Sequence, residues 1–159
     1  MNIHFMSKSD NWSTPINLFN CLDKQFHFTL DPCANKNNTK CLRFYSKEID
    51  GLSKSWAHET VFMNQPYGRE ISKWIKKAYK ESLEPGTIIV CLIPARTDTT
   101  YWHDFVMKST YIHFIKGRLK FNDIGTAPFP SAIIVFGKDI IDIDYPGKGF
   151  YPLNHHLVL

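Results

Sequence analysis

A chain of 159 residues, 43% apolar and 14% aromatic, is sized and composed for one packed core, which excludes a disordered or collagen-like polymer. Its formal net charge of +4 permits a nucleic-acid partner without demanding one. No apolar run is long enough to span a bilayer, and the start, MNIHFMSKSD, lacks a secretory apolar core, so no membrane association and a cytoplasmic location are expected.

The segment STPINLFNCLDKQF has the marks of a helix start. Thr14 can cap, Pro15 suits the first helical position, and Ile16, Phe19 and Leu22 share one face. FHFTL then reads as a short strand running into Asp31-Pro32, NKNNTK as a loop or a weak short helix, and LRFY as another strand. TVFM is a strand that ends in Asn64-Gln65-Pro66-Tyr67-Gly68. From Glu70 to Leu83, Ile71, Trp74, Ile75 and Ala78 follow helical spacing, and Pro85-Gly86 closes the helix. The outer face of that helix carries Lys73, Lys76, Lys77 and Lys80, which read as a solvated face.

TIIVCLIP is apolar at every position, as a central parallel strand would be. TTYWHDFVMK reads as a helix, and YIHFI and SAIIVFG as the last two strands. The basic, turn-rich excursion KGRLKFNDIGTAPFP separates them. From Lys138 onward the chain looks irregular, and His155-His156 belong to that tail. Strands alternating with helices predict an α/β fold with a mostly parallel sheet covered on both faces. The last two strands, joined without a helix, predict an antiparallel pair at one edge. The four cysteines, Cys21, Cys33, Cys41 and Cys91, show no zinc-ligand spacing, so no metal is expected.

Ligands of open α/β sheets bind beyond the carboxyl ends of the strands. LDPCAN, EIDGL and MNQPYG sit at or near such ends, and two of them offer a carboxylate, Asp31 and Asp50. Each alone reads as a turn. Together, in this order, they carry a resemblance. NQPY is similar to the (Asp/Asn/Ser)-Pro-Pro-(Tyr/Phe/Trp) motif of amino-group methyltransferases. The series WSTP, LDPCA, DGLSKSW, NQPYG, PARTDT, KGRLKF and APFPS resembles, over about residues 12 to 137, the small phage-type DNA N6-adenine methyltransferase family.

That resemblance implies a Rossmann-like methyltransferase fold with an antiparallel edge strand, one domain over residues 1–159, and no separate target-recognition domain. It implies S-adenosylmethionine as methyl donor and double-stranded DNA as partner. Catalysis falls to Asn64, Gln65, Pro66 and Tyr67. The Asn64 side-chain oxygen and the backbone carbonyl of residue 65 accept both N–H groups of the target amine, which aims its lone pair at the sulfonium methyl. Tyr67 stacks on a base swung out of the duplex. Trp12, Thr14 and Pro15 line the methionine end. Asp31 faces the methionine amino group, Cys33 belongs to the same loop, Ala34 allows close backbone approach, and Asp50 accepts from the donor's adenine amino group. Between Asp31 and Asp50 there is hardly room for the usual ribose-gripping acid, a role for which Glu48 is the one candidate. DNA contacts fall to Arg96, Thr97 and Asp98, with Lys116, Arg118 and Lys120.

Gln65 departs from the family, which has proline there. Glutamine keeps the backbone acceptor but loses the fixed φ and adds an N–H that needs a partner. Reduced or retained activity is expected. Two alternatives stay open: a cofactor- or nucleic-acid-binding protein of the same fold, weak or silent in catalysis, and methyl transfer to an RNA adenine, a cytosine N4 or a protein glutamine amide.

Overall fold

In the computed structural model, residues 12–121 and 125–140 are described, together with the backbone of 150–152. The MNIHFMSKSD start, most of the tail and His155-His156 lie outside the described residues.

Helix α1 (Ile16–Phe26) opens the fold. Strands β1 (Leu30–Asp31), β2 (Arg43–Phe44) and β3 (Thr60–Met63) follow, then α2 (Ile71–Glu81) and β4 (Ile88–Pro94). After α3 (Thr100–Asp104) and β5 (Tyr111–Phe114) comes a small hairpin of β6 (Lys120–Phe121) and β7 (Gly125–Thr126). Strands β8 (Ser131–Phe136) and β9 (Phe150–Pro152) complete the set. The seven-stranded sheet runs β2-β1-β3-β4-β8-β5-β9. Strands β1 to β4 are parallel, β8 is antiparallel to both β4 and β5, and β9 is antiparallel to β5. This is the mostly parallel sheet of a Rossmann-like methyltransferase fold with an antiparallel edge.

Period-two alternation divides the core between the two sheet faces. Val61, Met63, Ile89, Cys91 and Ile93 face α2 and α3, where Trp74, Ile75, Ala78 and Trp102 meet them. Phe62, Val90, Leu92, Ile133 and Val135 face the other way, against Phe19 and Leu22 of α1 and Phe121 of the hairpin. Burial of each large apolar side chain contributes about 1.5–3 kcal/mol. Helices therefore cover both faces, as the sequence predicts.

Several local expectations change. Pro15, with φ −56° and ψ 129°, is the cap rather than the first helical residue, because its carbonyl accepts the first helical bond, from Phe19 N at 3.1 Å. Thr14 therefore does not cap. The predicted FHFTL strand shrinks to Leu30–Asp31. Its first residue still belongs to α1, His27 adopts a left-handed φ of 55°, and Phe28 N donates to Asp23 Oδ1 at 2.8 Å. The helix stop consumes the residues that would have paired.

The TTYWHDFVMK helix breaks at Phe105, φ −128°, into a 3₁₀ turn that buries Val106. β4 is parallel to β3 but antiparallel to β8, so it marks where the sheet changes sense. The antiparallel β5–β8 pair forms, but β9, drawn from the tail expected to be irregular, takes the outermost place. Lys77 also leaves the predicted solvated face. It pairs with Glu81 Oε1 at 2.5 Å and stands over the Trp56 ring at 5.6 Å.

Candidate active site

The topology gathers the predicted site at one end of the sheet. The parallel strands β1, β3, β4 and β5 all finish there, at residues 31, 63, 94 and 114, and antiparallel β8 begins there, with Ser131 beside Pro94. The loops after them carry the LDPCA, NQPYG, PARTDT and KGRLKF segments.

The DGL turn reaches this end through one close contact. Asp50 has a left-handed φ of 57° and accepts from Leu52 N at 3.2 Å. Gly51 then passes so near the acidic loop that an added Cβ would sit 2.0 Å from the Pro32 carbonyl oxygen, so only glycine fits. Buried Trp56 donates its indole N–H to the Gly51 carbonyl at 2.9 Å and stacks on Trp74, which ties the turn to α2. The sequence places DGL and its tryptophan six positions apart, and this hydrogen bond is the physical reason.

A small, open cleft lies where the entrance segment, the loop after β1 and the end of β3 meet. Trp12, Ser13 and Thr14 form one wall, and Phe62 and Asn64 form the floor. The loop after β1 supplies Asp31, Cys33, Asn38 and Lys40. Trp12 serves the core as well, packed edge-on to Phe121 at 5.1 Å and Phe129 at 5.6 Å.

Asn64 is the most constrained side chain here. Its Nδ2 donates to the Trp12 carbonyl at 2.5 Å and to Thr14 Oγ1 at 2.8 Å. With both donors engaged, the amide orientation is settled by its partners, and Oδ1 is left as the acceptor. The Tyr67 hydroxyl donates to that Oδ1 at 2.8 Å. An amide oxygen has two lone pairs, so one remains. The half-buried Tyr67 ring meets Phe129 edge-on at 5.4 Å, and burial pushes its hydroxyl pKa up.

Asp31 is 6% exposed, and burial raises its carboxyl pKa to about 6, against the pull of the Cys33 and Lys40 main-chain N–H groups and of the Lys40 charge. The Cys33 N–H stands 3.3 Å from Oδ1. Burial, then the Asp31 charge, pushes the Cys33 thiol up, so Cys33 is a neutral wall residue. The main chain of this loop is pinned by Ala34 N to Tyr45 O and Tyr45 N to Asp31 O.

The structure separates the remaining predicted residues from the cleft lining. Pro15 and Ala34 stand next to it in sequence but are not on it, and neither are Asp50, Gln65, Pro66 and Tyr67. Glu48 is exposed, held low by a bond with Ser46. Gln65 is 1% exposed, and neither Oε1 nor Nε2 has a hydrogen-bond partner among the described residues. Arg96, Thr97, Asp98, Lys116, Arg118 and Lys120 are all exposed on the rim.

Four cleft residues and one rim residue escaped the sequence reading, Phe62 among them as an apolar position of the TVFM strand. Ser13 sits inside the WSTP segment, and Asn38 and Lys40 sit inside a polar run that reads only as a loop. Arg69, exposed immediately after Gly68, has no ion pair among the described residues. Its position after the turn motif was the only signal. Among the described residues no group of three or more His, Cys, Asp or Glu could hold a metal, and no helix is long and apolar enough to cross a membrane.

Sheet order and the strand-end placement of these loops define a Rossmann-like methyltransferase fold. Residues 4–136 match the model of the DNA N-6-adenine-methyltransferase (Dam) family, and this chain belongs to it. It is 31% identical over 112 residues to the DNA N-6-adenine-methyltransferase of Escherichia phage T1, an alignment covering 69% of this chain and 46% of that protein. It is 27% identical over 119 residues to the DNA N-6-adenine-methyltransferase of Haemophilus phage HP1, covering 72% of this chain and 68% of that one. The chain thus spans about half the length of the T1 relative.

Proposed function

We propose that this chain methylates the N6 amino group of adenine in double-stranded DNA, with S-adenosylmethionine as donor. The observation that carries the reading is the orientation of Asn64. Its Nδ2 is used up by Trp12 and Thr14, so the group available to a substrate is an acceptor. An exocyclic amine offers two N–H donors and a delocalised lone pair. Oδ1 of Asn64 takes one N–H and the Gln65 carbonyl takes the other, which turns the lone pair toward the methyl carbon. The new N–C bond forms as the S–C bond breaks, its electron pair stays on sulfur, and the surplus amine proton leaves to water.

The donor set of the cleft suits this partner. A zwitterionic amino-acid end meets a carboxylate and an ammonium, Asp31 and Lys40, and a sulfonium near the Trp12 ring gains cation–π attraction. The donor supplies an activated methyl group, and the chain's residues orient and desolvate the acceptor. Asp50, in a turn locked against the Asp31 loop, serves the donor's adenine end. Exposed Arg96, Lys116, Arg118 and Lys120, joined by Arg69, surround the same end of the sheet and suit DNA phosphates or guanine edges, with Thr97 and Asp98 beside them. Sequence preference then resides in the 96–100 and 116–131 loops.

A second reading draws on Gln65. Two unpartnered amide atoms in a buried residue cost about 1–3 kcal/mol each, a burden that proline would not impose. That favours a chain which binds donor and DNA but transfers methyl slowly.

Incubation with tritiated S-adenosylmethionine and unmethylated duplex DNA, followed by digestion to nucleosides, tests both. Label in N6-methyldeoxyadenosine supports the first reading. Donor binding without label, with label restored by Gln65→Pro, supports the second. No label from either variant rejects DNA adenine as the acceptor.

A further inference from the structure

We propose that Lys40 holds the carboxylate of the methyl donor's amino-acid end, beside the Asp31 carboxylate that holds its ammonium. This rests on the donor-binding reading above and assigns to a binding role a residue that no sequence motif marks.

Asp31 and Lys40 line one cleft with opposite charges and are close enough that the lysine charge acts on the carboxylate. Yet they form no ion pair, and Lys40 has no hydrogen-bonded or ionic side-chain partner among the described residues. Two residues of unlike charge on the lining of one cleft, with no ion pair between them, fit a ligand that carries both charges on one carbon. Asp31 is turned to its place by main-chain N–H groups, including that of Lys40 itself. The same peptide segment therefore sets both halves of the pair.

The lysine is held by a structured loop. Asn38 Oδ1 accepts from Asn35 N at 2.7 Å, and Thr39 N donates to Asn35 O at 2.9 Å. Thr39 Oγ1 donates to the carbonyl of Cys41 at 2.8 Å, and Cys41 is buried. Lys40 lies between two fixed neighbours, half-buried at the cleft wall. A solvated surface lysine needs no such scaffold. Asn38, also on the wall, offers a second polar group beside the same carboxylate.

The test is isothermal titration of the full chain with S-adenosylmethionine and with its decarboxylated analogue, for the native protein, Lys40→Met and Lys40→Arg. The native chain is expected to prefer the intact donor by roughly tenfold, the scale of one charge-assisted contact. Lys40→Met is expected to lose that preference, binding the intact donor about tenfold more weakly and the decarboxylated analogue unchanged, while Lys40→Arg keeps part of it. Equal affinity of the native chain for both compounds overturns the assignment, whether or not the variants fold. So does an equal loss for both compounds in Lys40→Met, or a loss confined to duplex DNA binding, which would make Lys40 a phosphate contact. No heat from the native chain with either compound rejects the donor site itself, a different failure.

Discussion

Asn64 Nδ2 lies 2.8 Å from Thr14 Oγ1, a hydrogen bond that joins residues fifty positions apart and leaves the amide oxygen to accept, as it does from the Tyr67 hydroxyl. Thr14 reads in the sequence as a helix cap. Its hydroxyl instead orients the residue proposed to hold the acceptor amine.

Asn64→Ala removes that acceptor and leaves the Trp12 carbonyl and the Tyr67 hydroxyl without their partner. Its expected effect is a fall of about 10²–10³ in the methyl-transfer rate, the scale of a lost preorganised contact. Thr14→Val should cost less, about 1 kcal/mol in transition-state stabilisation. Single-turnover rates at saturating donor measure both, and equal effects would deny Asn64 its direct role.

Tyr67→Phe keeps the ring against Phe129 and removes the hydroxyl from Asn64 Oδ1. A rate loss under about tenfold is expected, since one lone pair of the oxygen is merely freed. Tyr67→Ala deletes the ring and with it the stacking surface, so weaker binding of DNA by about 1–3 kcal/mol should accompany a larger rate loss. A DNA titration of the two variants separates hydroxyl from ring.

Gln65→Pro replaces a buried amide whose two polar atoms have no partners among the described residues. Removing that burden should stabilise the fold by about 2–6 kcal/mol, less what the buried side chain contributes in packing, a rise of several degrees in Tm for a chain of this size. Thermal unfolding reads the outcome directly. A lower Tm would mean that the amide or the Gln65 N–H has a role the proline cannot fill.

Asp31 gives a pH dependence with a definite sign. Burial raises its folded-state pKa to about 6, so folding favours the protonated acid. That contribution is complete below about pH 4 and is lost as pH rises through about 6. Asp31→Asn should therefore be more stable than the native chain at pH 7, on the order of 2–3 kcal/mol, and no more stable at pH 4. Donor affinity should run the opposite way. The native chain should lose affinity as pH falls below about 6, and the Asn variant should be weak at every pH. Denaturant melts and donor titrations across pH 4 to 8 check the pair.

Gly51→Ala sets a methyl group 2.0 Å from the Pro32 carbonyl oxygen. The turn must then back away from the Asp31 loop, and a destabilisation of roughly 2–4 kcal/mol is expected. Because Asp50 moves with it, donor affinity should fall even below the melting transition. A variant of native stability and affinity would contradict the close approach.

Periodicity and residue type were sufficient for much of this protein. The 3.6-residue spacing of Ile71, Trp74, Ile75 and Ala78 can bury only one face of a helix, and that helix forms as read. A run such as Ile88–Pro94, apolar on both faces, has to lie inside a sheet, and it does. Asn64 at the end of TVFM, with Asp31 and Asp50 before it, stood out only because their ordered series resembles a family pattern, each alone reading as a turn.

What only the tertiary structure decided is partnership between distant segments. Hydrogen bonds and charge pairs need atoms about 3 Å apart, and sequence carries no such distances. Thr14 could cap a helix or orient Asn64, and the position of β3 beside the entrance segment chose the second. Lys77 could face water or Glu81, and Trp56 beneath it drew it in. β8 could pair at an edge or enter between β4 and β5, and the sheet took it inside, with tail strand β9 beyond β5. Lys40 was one lysine in a polar run until the fold of the 35–41 loop set it on the lining of the cleft that also holds Asp31. Local sequence specifies which faces must be buried and which chemistry is present, whereas packing in three dimensions selects, among groups able to bond, the ones that do.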